Sequence, residues 1–182
     1  MMNNESVVLA RDVPAILIPD GLPVILKRGE AAHITQLLGG KFTVQSVQGQ
    51  LFRIEGRDAD ALGQPVPEAA GVVPHGSDKP VQEQVWDALR TCYDPEIPVS
   101  VVELGLIYGC DVVQLQDDSY RVQIRMTLTA PGCGMGEVLQ HDIETAVISV
   151  PRVSTADIEL VFNPPWDQNR MSEAARLQLG ML

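Results

Sequence analysis

The run from Tyr120 to Thr129 constrains the fold most, because it alternates without a slip. Tyr120, Val122, Ile124, Met126 and Leu128 face one way; Arg121, Gln123, Arg125, Thr127 and Thr129 face the other. A period of two is that of a strand, here with one apolar and one polar side. The apolar side needs a cover. From Met135 the period turns helical, and Met135, Val138, Leu139, Ile143, Ala146 and Val147 form a stripe that Pro151 ends. Leu106 to Leu115 reads as a preceding strand, turned by Gln116-Asp117-Asp118-Ser119, and Thr155 to Phe162 as a following one. Val81, Val85, Ala88, Leu89 and Cys92 share a helical face, entered at Ser77-Asp78 and Pro80 and stopped near Tyr93 by Pro95. Asn163-Pro164-Pro165-Trp166 breaks the last strand, and Ser172 to Leu179 is a short helix closed by Gly180. This order predicts an α+β (mixed α/β) C-terminal domain with helices covering one face of a small sheet.

The beginning of the chain has another texture. Ala15-Ile16-Leu17-Ile18, Leu22 to Leu26, Phe42 to Val47 and Leu51 to Ile54 are short strands punctuated by Pro19-Asp20-Gly21, Gly29, Gly39-Gly40 and Gly49. Ile34 to Leu38 is apolar but ambiguous between strand and helical turn. The pattern predicts a small, mostly β module over 1–63, a compact barrel being one form open to it. Gly63, Pro65, Pro67, Gly71, Pro74, Gly76 and Pro80 make 64–79 a linker, leaving 80–182 as the second domain. His33 and His75 read as a structural histidine and a polar loop position.

A formal charge of −11 argues against nucleic acid and against an anionic membrane as partner, since phosphate binding needs clustered Lys and Arg. No apolar run approaches a membrane span, and Met1 to Ala10 lacks the pattern of a signal peptide. Cys92, Cys110 and Cys133 are odd in number and without CxxC spacing, which fits a cytoplasmic location rather than a disulfide framework.

Chemistry concentrates at Pro131-Gly132-Cys133-Gly134. The flanking Gly132 and Gly134 leave the sulfur little covered, and a helix beginning near Gly134 favours thiolate over thiol. A tight turn holding a small half-buried cysteine is the plainer reading. His141 lies two turns along the same helix, about 12 Å away, too far to serve as a base for Cys133. No Lys-Ser or Lys-Thr follows the glycines, so the loop is not a phosphate loop. One thiolate cannot hold an iron–sulfur cluster alone, so such a role needs a second chain or a transient site. Asp94-Pro95-Glu96 is the other feature: in an extended segment both carboxylates face one side, as base, oxygen ligands or partner contacts. An exposed acidic turn is the alternative.

Asp94-Pro95-Glu96-Ile97-Pro98-Val99, Glu103-Leu104-Gly105-Leu106-Ile107-Tyr108, Met126-Thr127-Leu128-Thr129-Ala130-Pro131-Gly132-Cys133 and Asn163-Pro164-Pro165-Trp166 follow in order. Together they resemble the SufT/PaaD-like iron–sulfur cluster assembly domain family over roughly Pro80 to Leu182. The preceding module, with Asp58-Ala59-Asp60-Ala61-Leu62-Gly63, resembles an N-terminal extension found in that family. The resemblance implies a non-enzymatic accessory factor that helps cluster transfer or insertion into client proteins. It implies a transient or dimer-shared iron–sulfur cluster, with client apo-proteins, other assembly proteins and a second copy of the chain as partners. It carries the reactive cysteine onto Cys133, the acidic pair onto Asp94 and Glu96, and the threonine before the loop onto Thr129. Many relatives have proline where this chain has Gly134. A metal-free targeting adaptor, and a cysteine-dependent enzyme, are the competing readings.

Overall fold

The structure, a computed structural model, describes residues 5–68 and 78–181. His75, Ser77 and most of the expected linker lie outside the described residues. The chain forms two compact units, Met1–Ala70 and Gly71–Leu182.

In the first unit, β1 (Glu5–Val8), β2 (Val13–Ile18), β3 (Leu22–Leu26), β4 (Ala31–Leu38), β5 (Lys41–Ser46) and β6 (Leu51–Glu55) form one sheet. Its order is β1-β4-β5-β6-β2-β3, with every pairing antiparallel. Among the described residues β1 and β3 are therefore edges, and the sheet is open rather than a closed barrel. Val13, Ala15, Ile34, Val44 and Ile54 bury one side of it. The ambiguous stretch Ile34 to Leu38 belongs to β4, where the register shifts between Ile34 and Gln36. That bulge inserts one residue and breaks the alternation a strand would show in sequence. After β6 a 3₁₀ segment, Gly56–Leu62, buries Ala59, Ala61 and Leu62 and ends at Gly63 with φ 68°. Asp58 and Asp60 there hold Arg11, whose Nε and Nη2 each donate to Asp60 at 2.7 Å. The Asp-Ala-Asp-Ala-Leu-Gly motif is thus a clasp closing the module.

The second unit runs α1 (Val81–Leu89), β7 (Ile107–Gln114), β8 (Tyr120–Met126), α2 (Gly136–Ile148), β9 (Val153–Leu160) and α3 (Glu173–Gln178). β8 sits in the centre, antiparallel to β7 and parallel to β9, with α2 as the crossover that a parallel pair requires. Val122, Ile124 and Met126 of β8 meet Leu139, Ile143 and Val147 of α2 and Val85, Ala88 and Leu89 of α1 in one aliphatic core. Arg121, Gln123 and Arg125, on the other side, are exposed. Helices on one face of a three-stranded sheet is the α+β arrangement expected from the periodicities.

α1 ends at Leu89, short of the expected stop near Tyr93. Thr91 Oγ1 donates to the Ala88 carbonyl at 2.7 Å, a local bond that competes with helical continuation. Cys92 is buried as expected, its Sγ 3.8 Å from the Ala88 carbonyl oxygen. β8 stops at Met126 rather than at Thr129. There Thr127 N–H donates to the Leu106 carbonyl and Val161 N–H to the Met126 carbonyl, each at 2.8 Å. The start of β7 and the ends of β8 and β9 therefore meet at one end of the sheet.

Candidate functional site

The cysteine loop leaves that end. Thr127 and Leu128 are buried, and Thr129 is half-buried in a bend rather than at the solvent-side end of a strand. The Thr127 Oγ1 is enclosed without a hydrogen-bond partner among the described residues. Gly132 has φ 77°, the left-handed region that side chains disfavour, with open space where a Cβ would lie. At Gly136 the reason for glycine differs, because a Cβ would come 2.8 Å from Leu128 Cδ1. The helix starts here, with Met135 as its cap, so Cys133 precedes the first turn instead of sitting inside it. Met135, 3% exposed, draws the loop onto the core, and the Cys133 side chain packs against the same core. The sulfur is accordingly half-covered rather than bare. The Cys133 carbonyl accepts the Gly136 N–H at 3.1 Å, and Gly134, exposed between them, completes the turn.

Asp94 and Glu96 do not lie in extended backbone. Asp94 Oδ1 accepts the N–H of Glu96 at 2.9 Å and that of Ile97 at 3.3 Å, folding the segment into a turn around its own carboxylate. Burial pushes the Asp94 carboxyl above its ordinary value, against the two amide bonds that favour the charged form. Glu96 is exposed. The two acids therefore occupy different environments, and among the described residues no hydrogen bond joins either to Cys133. Ile97 and Cys133 do pack against the same core.

The remaining motifs bind each other, which sequence reasoning did not foresee. Trp166 Nε1 donates to the Leu104 carbonyl at 2.8 Å and the Tyr108 hydroxyl to the Pro164 carbonyl at 2.9 Å. Ser172 N–H donates to the Glu103 carbonyl at 2.9 Å, and Gln178 Nε2 to the Pro98 carbonyl at 3.0 Å. Gly105, at φ 71°, lies so close to Arg170 that a Cβ would run into the Arg170 carbonyl. Residues 163–178 are thus a strap across 98–108. Gly105 carried a signal in its residue type; the strap, joining segments about sixty residues apart in sequence, carried none that period or turn chemistry could reveal.

Other thiols offer little chemistry. The Cys110 thiol is pushed up to about 11, by burial first and by Asp111 second, so it stays protonated at neutral pH. Among the described residues none of the three cysteines forms a disulfide. His141 is exposed on α2, and His33, in the other unit, is half-buried with its Nδ1 unpartnered rather than satisfied. Among the described residues no group of three or more His, Cys, Asp and Glu could hold a metal ion. No helix among them is long and apolar enough to cross a membrane.

Fold and site define a small α+β module carrying a half-exposed thiol on a loop at one end of its sheet. A family model described as "Iron-sulfur cluster assembly protein" matches residues 82–159. An Fe-S protein maturation auxiliary factor of Porphyromonas gingivalis is 46% identical over 101 residues, 56% of this chain and 92% of that protein. The Fe-S protein maturation auxiliary factor SufT of Staphylococcus aureus is 34% identical over 88 residues, 48% of this chain and 96% of that protein. A solved domain of unknown function, DUF59, from Bacillus anthracis is 33% identical, covering 56% of this chain and 93% of that one, with a TM-score of 0.49. The chain belongs to the iron–sulfur cluster assembly protein family, as the sequence motifs implied.

Proposed function

We propose that this chain is an accessory factor in iron–sulfur cluster assembly and takes the cluster as cargo, not as a resident cofactor. In this reading Cys133 is the sulfur that contacts the cluster during transfer to a client apo-protein. Asp94 and Glu96 stand beside the route as partner contacts, Thr129 anchors the base of the loop, and Gly132 and Gly134 set its turn. The observation that carries the reading is the convergence of the sequence motifs on one end of a sheet where Cys133 is half-exposed. Its relatives' names, maturation auxiliary factors and not enzymes, support the same role. That no group of three or more His, Cys, Asp and Glu among the described residues could hold a metal supports a cluster held briefly, or shared with a second copy or a partner protein, over one held permanently.

Anaerobic reconstitution with iron and sulfide tests this. The intact chain takes up iron with charge-transfer absorbance, and Cys133→Ser loses both. Equal iron and absorbance in the two proteins would remove Cys133 as the contact. A second reading is a metal-free adaptor between assembly machinery and clients, which fits the lack of such a ligand group among the described residues. That adaptor keeps its partner binding in Cys133→Ser and loses it when Asp94 or Glu96 is replaced.

A further inference from the structure

The arginines of the second unit divide into those with an internal partner and those without. Arg90 pairs with Asp87 at 3.0 Å and Arg121 with Asp157 at 3.8 Å. Arg152 donates twice to the Asp118 carbonyl, at 3.0 and 3.2 Å, while lying over the Tyr120 ring. Arg176 makes no ion pair among the described residues, but its Nε is enclosed. Arg125 and Arg170 are both exposed and make no hydrogen bond or ion pair through their guanidinium groups among the described residues. Arg170 has a ring contact alone, 4.3 Å above the centre of Tyr108.

These two guanidinium groups belong to one place. Arg125 is paired in register with Gly109, and its side chain lies across that glycine, where a Cβ would come 2.5 Å from Nη2. The register shifts between Ile107 and Gly109, making Tyr108 the inserted residue of a bulge. Consecutive residues, ~3.8 Å apart at Cα, thus carry Arg170 over one and Arg125 over the next. Glu159 stands opposite Arg125 on β9 yet makes no ion pair with it, and the Asp167 carboxylate is taken by the Asn169 N–H at 2.7 Å. We propose that Arg125 and Arg170 form a docking point for an acidic segment of a partner protein.

The guanidinium fork matches carboxylate geometry, and stacking on Tyr108 holds one fork oriented before any partner arrives. Two such charges on a chain of net charge −11 cannot track a nucleic acid backbone, so a peptide carboxylate is the fitting anion. The other cationic feature, a groove of about 600 Å³ lined by Lys79, Val81, Tyr120 and Arg152, has its cations committed to Asp87 and Asp118. Arg125 precedes the last residue of β8, and Tyr108 is tied to Pro164, so the patch lies at the end from which the Cys133 loop departs. As a surface for clients or assembly proteins, the patch rests on the proposed function.

Titrating the ¹⁵N-labelled full chain with a hexaglutamate peptide at low ionic strength, without metal, tests the patch. Amide shifts centred on 108–110, 125 and 170, weakened by salt, are expected, with affinity falling about tenfold in Arg125→Gln/Arg170→Gln. Arg121→Gln keeps full affinity, and Arg125→Gln alone serves should Arg170→Gln loosen the strap. Unchanged affinity in the double variant, shifts centred on the Lys79–Arg152 groove, or an equal response to inorganic phosphate each overturns the proposal. Cys133→Ser gives the same shifts as the intact chain, so a failed reconstitution and a failed titration are separate results.

Discussion

The two units differ in which charges they commit internally and in what presses on their glycines. In the first, the clasp of Arg11 with Asp58 and Asp60 and the pair of Lys27 with Asp12 at 2.8 Å tie the fold to itself. Gly29, Gly49 and Gly63 open turns where a Cβ would meet nothing within 4 Å, whereas Gly56 lies against the Gly40 carbonyl. In the second unit Arg125 and Arg170 make no ion pair among the described residues, Asp94 is half-buried, and Gly105, Gly109 and Gly136 each lie against another chain segment, while Gly132 is open. The contacts at Gly105 and Gly136 lie near the thiol loop, and a functional site is where such local costs are expected.

The glycines break this comparison most strongly. Gly105→Ala combines a left-handed backbone with a collision against Arg170, and should cost about 3 kcal/mol. Gly63→Ala, with the same backbone sign and free space, should cost about 1 kcal/mol. Both tryptophans, Trp86 and Trp166, lie in Gly71–Leu182, so their fluorescence follows that unit, and hydrogen exchange at Val44 follows the other. Equal losses would mean that the strap does not press on Gly105. Next in size, Trp166→Phe keeps the packing but leaves the Leu104 carbonyl without its donor, a loss of about 1 kcal/mol. It should also raise amide exchange across 103–108, and unchanged exchange there would count against the strap.

The smallest effect is a difference of sign with pH. Hydrogen bonds from Arg11 and Lys27 hold Asp60 and Asp12 below the ordinary carboxylate value. Their contribution is present above that value and is lost as the pH falls through the depressed one. Asp94 is displaced upward, so the folded chain binds the extra proton, and stability falls as the pH rises from about 3.9 through the raised value. Mild acid should therefore relieve the desolvated Asp94, and only acid below about 3.9 should weaken the first unit's clasp. Asp94→Asn, which can still accept the Glu96 and Ile97 amides, should flatten the second unit's dependence. A slope unchanged by the substitution would place the titration elsewhere.

Local signals made much of this legible. The alternation of Tyr120 to Met126 and the stripe of Leu139, Ile143 and Val147 are one-dimensional records of a face buried against one partner. What failed had a competing local bond or a distant partner. Thr91 ended α1 early, a bulge hid β4, and the Asp94 carboxylate curled its own segment out of extended geometry. Cys133 was visible because a thiol between two glycines is chemically conspicuous. Arg125 and Arg170 were not, because lacking a partner is a property of three-dimensional neighbours, not of residue type.

The strap has a consequence for the order in which the chain is made. Asp94, Tyr108 and Cys133 emerge from the ribosome well before Trp166, Arg170 and Gln178, which arrive later to cap the Leu104 and Pro98 carbonyls. A nascent chain halted ahead of Asn163 would own the thiol and both acids, yet Gly105 would face water and Tyr108 would lack its cation. Closure of this end of the sheet would then wait on synthesis of the strap, so that the thiol loop gains its finished surroundings only when the chain is nearly complete.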